Sequence, residues 1–139
     1  MKKIILLAVA FVSFATITSC SKDDDQASLQ GKWEYFKEGT ANTSGQEFLV
    51  DYQHQAGCSK DYSIITASSI VDHSFFGSTC EEEIFSTPYT RNGNTISITV
   101  EGETFTAEIK TLDSSTLKIY SIDPEFPGII DVTVFKRIN

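Results

Sequence analysis

The sequence has little of what most enzymes and nucleic-acid-binding proteins need. It contains only two histidines, and its 11 basic residues are outnumbered by 19 acidic ones. The basic residues form no cluster beyond adjacent pairs, so a nucleic acid or polyanion partner is not expected. The net charge of −8 favours solubility and mildly disfavours anionic ligands.

Motifs of known catalytic sites are also missing. The chain has no Gly-x-Ser-x-Gly, phosphate-binding glycine loop or His-Glu-x-x-His. Asp72-His73-Ser74 has the residue types of a catalytic triad, but neighbours along a strand point to opposite faces. His54 and His73 could meet Glu81-Glu82-Glu83 at a metal, yet this spacing matches no known site. We therefore expect no enzyme activity, no cofactor and no metal.

The chain has one long apolar run, and it lies at the N-terminus. Met1-Lys2-Lys3 and the apolar residues 4–17 form a signal peptide that is short for a membrane span. The run ends in Ile17-Thr18-Ser19-Cys20, which resembles the bacterial lipobox. That resemblance implies removal of residues 1–19 and acylation of Cys20, for example with palmitate. The alternative is an ordinary signal peptide that leaves Cys20 free.

A short acidic segment follows Cys20. Residues 20–28 include Asp23-Asp24-Asp25 and are expected to form a solvated tether between the lipid and a folded domain. An acidic cluster at this place resembles the Bacteroidota signal that sends lipoproteins to the outer membrane, facing the cell surface. The periplasmic face is the alternative.

Two cysteines remain for the domain. Cys58 and Cys80 form an even pair in an oxidising compartment, which predicts one disulfide. Neither cysteine belongs to a Cys-x-x-Cys motif, so a metal site or a reactive thiol is disfavoured.

Beyond residue 28 no stretch keeps a helical period, and apolar residues alternate with polar ones as in half-buried strands. Asn92-Gly93 is a strong hairpin signal because both residues tolerate the positive φ angles of a type I′ turn. Residues 48–55 fit a short strand or an ordered loop. Eight strands are expected, at residues 31–38, 61–66, 70–76, 84–90, 95–100, 104–110, around 117–119 and around 130–134.

One face of these strands is apolar and is expected to point inward. It is either a filled core or a cup for an apolar molecule. In the C-terminal half its members are Ile96, Ile98, Val100, Phe105, Ala107, Ile109, Leu117, Ile119, Ile130, Val132 and Val134.

Gly31-Lys32-Trp33 at the head of the first strand, with Lys136-Arg137 closing the last, resembles the lipocalin family. More narrowly, the chain resembles small lipocalin-like lipoproteins of Bacteroidota-type bacteria. The resemblance implies an all-β, eight-stranded antiparallel up-and-down barrel over residues 29–139, closed at one end by Trp33 with Arg137 stacked on it. A solvated Arg137 and a β-sandwich are the alternatives.

In such a barrel the long loops share one rim, and both Cys58 and Cys80 fall on it. The aromatic residues expected to line this mouth are Phe48, Tyr52, Phe75, Phe76 and Phe126. The function expected is a lipid-anchored envelope module that binds a small hydrophobic or amphipathic molecule. The alternative is a structural subunit with a filled barrel that docks onto an envelope protein partner.

Overall fold

The computed structural model describes residues 27–122, 126 and 128–139, so the predicted signal peptide and Cys20 lie outside the described residues. Within these ranges no helix has the length and apolar composition of a membrane span. The described chain folds into nine β-strands: β1 Gly31–Ala41, β2 Glu47–Asp51, β3 Tyr62–Ile65, β4 Ser69–Phe76, β5 Glu81–Asn92, β6 Thr95–Val100, β7 Glu103–Leu112, β8 Thr116–Ile122 and β9 Ile130–Ile138.

The strands form one antiparallel sheet that closes on itself. Each strand from β3 to β8 pairs with the one that follows it. β1 pairs with β3 on one edge and with β9 on the other, which closes the sheet. The closed, eight-stranded barrel predicted from the sequence is thus confirmed, and the sandwich alternative is wrong. The segment expected as a short strand or ordered loop supplies β2, which pairs with the second half of β1.

Several strand boundaries differ from the prediction, among them two at the mouth. β1 continues to Ala41, and β5 begins at Glu81 instead of residue 84. Three successive glutamates favoured a loop, but Glu81 pairs with Phe76 and Glu83 with Ser74. The β4–β5 hairpin therefore extends further than the sequence suggested, because antiparallel pairing outweighs the poor strand propensity of Glu.

Alternate connections gather at opposite ends of the barrel. One end, called the closed end below, has the short turns at residues 66–68, 93–94 and 113–115 together with Trp33. The other end, called the mouth, has the longer connections β1–β2, β2–β3, β4–β5 and β8–β9, with the β6–β7 turn. The long loops share one rim, as predicted.

The closed half of the barrel is filled with side chains. Trp33 and Leu117 have no measurable exposure, and Ile96 and Ile109 are 2% and 3% exposed. Burial of this kind is the main favourable term in folding. The complete cluster is Leu29, Trp33, Ile65, Tyr89, Ile96, Ile109, Leu117 and Phe135.

The prediction that Ile130, Val132 and Val134 face the barrel interior was wrong. Val132 and Val134 pack with Ala41 in a second cluster, and Ile130 lies beside it. Phe135 faces the barrel interior instead. Since successive strand residues point to opposite faces, the even-numbered residues of β9 lie on the outer surface.

The outer cluster is buried because the β1–β2 hairpin curls back over β8. Glu47 of β2 accepts hydrogen bonds of 2.9 Å from Lys118 Nζ, and it also accepts a short one from the Tyr120 hydroxyl. Both donors belong to β8, which β1 and β9 separate from β2 in the sheet. These two donors hold the pKa of Glu47 below its usual value. A bulge between Tyr35 and Lys37 shifts the register of β1 at this point.

Candidate functional site

At the closed end, Arg137 covers Trp33. The guanidinium carbon lies 4.1 Å from the ring centre, and Trp33 Nε1 donates to the Leu29 carbonyl at 2.8 Å. Gly31 is required here, since its φ is +148° and a Cβ atom would collide with Arg137 Nη1. The Gly-x-Trp pattern thus has a steric reason, and the stacked arrangement of Arg137 is the one present.

Above the apolar layer, the interior carries a polar group centred on Asp72. Tyr35 donates its hydroxyl to Asp72 Oδ1 at 3.0 Å, and Ser63 donates to the same oxygen. Burial, with the Asp72 charge second, raises the pKa of Tyr35. Tyr35 therefore stays protonated at neutral pH and remains a donor to the carboxylate.

The segment after β2 adds a second polar group. Tyr52 stacks on Tyr35 with ring centres 4.9 Å apart and donates to Asp61 Oδ2 at 3.0 Å. Burial, and then this bond to Asp61, raises the pKa of Tyr52 to about 12. His54 Nδ1 accepts the Asp61 backbone N–H at 3.0 Å, so Nε2 carries the proton that faces the Tyr35 carbonyl. These bonds fix the loop that borders the mouth.

None of these groups forms the arrangement of a catalytic site. Asp72 points inward, whereas His73 faces outward, stacks on Tyr62 at 4.4 Å and contacts Glu82 at 2.8 Å. The triad residues are therefore separated by the sheet. Among the described residues, no three His, Cys, Asp or Glu side chains lie close enough to hold a metal ion.

The mouth is where the structure exposes apolar surface. Every large hydrophobic residue that is exposed within the described ranges lies in the mouth half of its strand or in a mouth loop. These residues are Phe48, Val50, Phe76, Ile84, Phe85, Val100, Phe105, Ile122, Phe126 and Ile129. Large exposed apolar areas are uncommon on soluble proteins and often mark binding surfaces.

Strand pairing shows which of these exposed hydrophobic residues point into the barrel and which point outward. Phe85 pairs with the inward Asp72, and Phe105 pairs with Ile98 beside the core. By the same alternation the inner face of the mouth holds Phe48, Val50, Phe76, Phe85, Val100 and Phe105. Ile84 and Ile122 point outward.

The aromatic residues predicted to line the mouth are only partly brought together. Phe48 and Phe76 are exposed on its inner face, Phe126 is exposed in the β8–β9 connection, and Tyr52 is half-buried against Tyr35. The placement of Phe75 was wrong. It is the strand neighbour of Phe76, so it faces outward, with its ring 6.4 Å from that of Tyr62.

Phe85 is the mouth residue that the sequence interpretation missed. Its strand was expected at residues 84–90, but the residues of that strand were not assigned to an inner or outer face. The signal was the alternation from Glu83 through Phe85 to Thr87 and Tyr89, two of which are buried in the interior. Val100 and Phe105 were assigned to strands but not to the mouth. Val50 was placed in the short strand or ordered loop across the mouth, but it was not among the predicted lining residues.

The structure contains the predicted disulfide between Cys58 and Cys80. It joins the β2–β3 loop to the β4–β5 turn across 22 residues, with 5.3 Å between the Cα atoms. Both segments border the mouth. The disulfide therefore fixes one side of the rim that carries Phe76.

A concavity lies on the outer face of the barrel. A cleft of about 360 Å³ runs between the β1–β2 turn and strands β7 to β9, lined among others by Asn42, Thr106, Tyr120 and Ile130. Lys110 pairs with Glu108 at 2.8 Å and lies 5.1 Å from the Tyr120 ring centre. The charged groups of this cleft therefore satisfy one another.

Comparison with known proteins agrees with this geometry. The profile of a lipocalin-like domain matches residues 29–119. The crystal structure of a lipocalin-like protein from Bacteroides uniformis ATCC 8492 superposes with a TM-score of 0.51 at 17% identity, covering 79% of this chain and 98% of that chain.

Two further structures are similar to a lesser degree. An uncharacterized protein from Bacteroides eggerthii DSM 20697 gives a TM-score of 0.48 at 15% identity, over 80% of this chain and 100% of that chain. A deswapped triple mutant of bovine odorant binding protein gives 0.43 at 11% identity, over 79% and 74%. Among curated proteins, none matches the sequence significantly. With a family profile over most of its length and a closed barrel capped by Trp33, the chain belongs to the lipocalin-like domain family.

Proposed function

We propose that this domain is a lipid-anchored envelope module that binds a small hydrophobic or amphipathic molecule at the mouth of its barrel. One observation carries the proposal: the exposed large hydrophobic side chains of the described chain are confined to the mouth half. The lipocalin-like fold is consistent with small-molecule binding. The domain is proposed to bind and release its ligand unchanged.

The depth of the proposed site follows from packing. Trp33, Ile96 and Leu117 fill the closed half, so a ligand lies above the Tyr35 and Asp72 layer and against the mouth halves of the strands. Its apolar part covers the exposed inner-face residues. Each Å² of apolar surface removed from water contributes about 25 cal/mol, less the cost of immobilising the ligand.

The proposed anchor gives the mouth a direction. Leu29 is buried beside Trp33 at the closed end, so the segment that precedes it begins there. If Cys20 is acylated, the closed end faces the membrane and the mouth faces away from it. The nine residues from Cys20 to Leu29 allow a separation of at most about 30 Å. This orientation suits capture of a molecule from the surrounding medium.

Two neighbouring residues of β5 give a matched test of the binding face. Phe85 is 59% exposed on the inner face and Ile84 is 57% exposed on the outer face. Replacing Phe85 with Gln removes apolar contact with the ligand and is expected to weaken binding by about 1–2 kcal/mol, or about five- to thirtyfold. The measurement is a titration with the neutral fluorophore N-phenyl-1-naphthylamine.

Ile84→Gln is the control and is expected to bind the fluorophore like the unmodified domain. Equal losses in the two variants would contradict binding on the inner face. If the folded, unmodified domain shows no saturable binding of this fluorophore or of extracted envelope lipids, the interaction-subunit alternative becomes the better account.

The lipid anchor has its own test. Intact-mass spectrometry of protein extracted from the membranes of its native host is expected to show acyl chains on Cys20, and Cys20→Ala is expected to release a folded domain. A soluble, unacylated mature species in the host would contradict the anchor.

A further inference from the structure

The described lysines lie on the outer face of the barrel wall or in loops away from its interior, and most of them have a carboxylate partner there. Lys32 lies over Tyr62 at 3.9 Å and Lys136 over Phe36 at 3.4 Å, both on the outer face. The remaining described lysines pair with carboxylates away from the interior: Lys37 with Asp51, Lys60 with Glu34, Lys110 with Glu108 and Lys118 with Glu47. The two arginines, Arg91 and Arg137, belong to the closed end.

The inner face of the mouth carries only carboxylates among its charged residues. By strand alternation these are Glu38, Asp72, Glu81, Glu83, Glu103 and Asp131. Asp72 is held by Tyr35 and Ser63. The other five are exposed, and within the described residues none of them forms a salt bridge.

Four of these six carboxylates are paired across strands with exposed apolar residues. Val50 lies opposite Glu38, and Val100 opposite Glu103. Phe76 lies opposite Glu81, and Phe85 opposite Asp72. Directly opposed residues on one face have Cβ atoms about 5 Å apart. A ligand that covers the apolar side chains therefore brings its polar group within a few Å of a carboxylate.

We propose that the mouth selects amphipathic molecules with a positively charged head, namely an organic ammonium group joined to an apolar chain or ring. This inference rests on the proposed binding function and specifies its ligand class. A cation near several uncompensated carboxylates gains Coulomb energy that a neutral head lacks, and an anion is repelled. The exposed aromatic rings of the same face add cation–π attraction.

The test compares three ligands that share one chain and differ in head charge. Decyltrimethylammonium, decanol and decanoate, each below its micellar concentration, compete with N-phenyl-1-naphthylamine for the unmodified domain. The ammonium compound is expected to bind about three- to tenfold more tightly than decanol, and decanoate more weakly than decanol. This preference is expected to shrink in about 0.5 M salt, which shortens the Debye length to a few Å.

Two double variants locate the effect. Glu83→Gln/Glu103→Gln removes inner-face charges, and Glu82→Gln/Glu108→Gln removes the same charge from the outer face of the same strands. Only the first is expected to reduce the ammonium preference, with decanol affinity unchanged. Equal binding of the three ligands, or equal effects of the two variants, would overturn the inference while leaving the proposed function intact. Absence of binding by all three would overturn both.

Discussion

Replacing Trp33 with Ala is expected to lower the free energy of unfolding by about 3–5 kcal/mol, the range for deleting a large buried aromatic side chain. Trp33 is fully buried, donates to Leu29 and carries Arg137 on its ring. The substitution leaves a cavity at the closed end and removes the partner of Arg137. Because domains of this size are stable by only about 5–15 kcal/mol, this loss is a large share of the total stability.

The measurement is urea unfolding followed by far-UV circular dichroism, since the variant has lost the only tryptophan. Trp33→Phe keeps an aromatic ring but loses the N–H donor. Its free energy of unfolding is expected to lie between those of the unmodified domain and Trp33→Ala. Phe126→Ala, at a 58% exposed site, is the control and should change stability by less than about 0.5 kcal/mol. A loss for Trp33→Ala no greater than that of the control would mean that the indole does not close the barrel.

Removal of the Cys58–Cys80 disulfide is expected to cost about 3 kcal/mol. In the chain-entropy model this follows from the loop that the bond closes in the unfolded state, over a separation of 22 residues. The double variant Cys58→Ala/Cys80→Ala, compared with the oxidised domain in urea, gives the value. Hydrogen exchange should increase in the β2–β3 loop and the β4–β5 turn, while β6 to β9 keep their protection.

An unchanged unfolding midpoint would contradict this role of the bond. Uniform loss of protection would instead mean that the disulfide supports the whole barrel. The two outcomes distinguish a local clamp on the mouth from a general contribution to folding.

Much of the fold could be predicted because its signals are local. The strict alternation of β6 and β7 and the Asn92-Gly93 turn each lie within a few residues. The outer burial of Val132 and Val134 could not be predicted in this way. It depends on Glu47 reaching Lys118, 71 residues away, and on a bulge that changes the alternation of β1. The alternation of β9, with Asp131 and Thr133 between its apolar residues, favoured the face that the structure places outside.

The candidate site was less predictable than the barrel. Two cysteines remain for the domain, and both were assigned to the same rim. This was enough to pair Cys58 with Cys80, because the rim assignment depends only on strand order. The choice between Phe75 and Phe76 depends on the register of β4 against β3 and β5, which two adjacent aromatic residues cannot reveal. Glu81 and Glu83 were expected in a loop and Asp131 on the outer face, until strand pairing placed all three on the inner face of the mouth.

Ligand is expected to bind on the inner face of the mouth. The most direct measurement is a two-dimensional amide NMR titration of the domain with decanol. Shift changes are expected to concentrate at mouth residues such as Val50, Phe85 and Phe105, with none at the Asn92-Gly93 turn of the closed end. Saturable changes centred on the closed end, or on the outer cleft beside Tyr120, would contradict the claim.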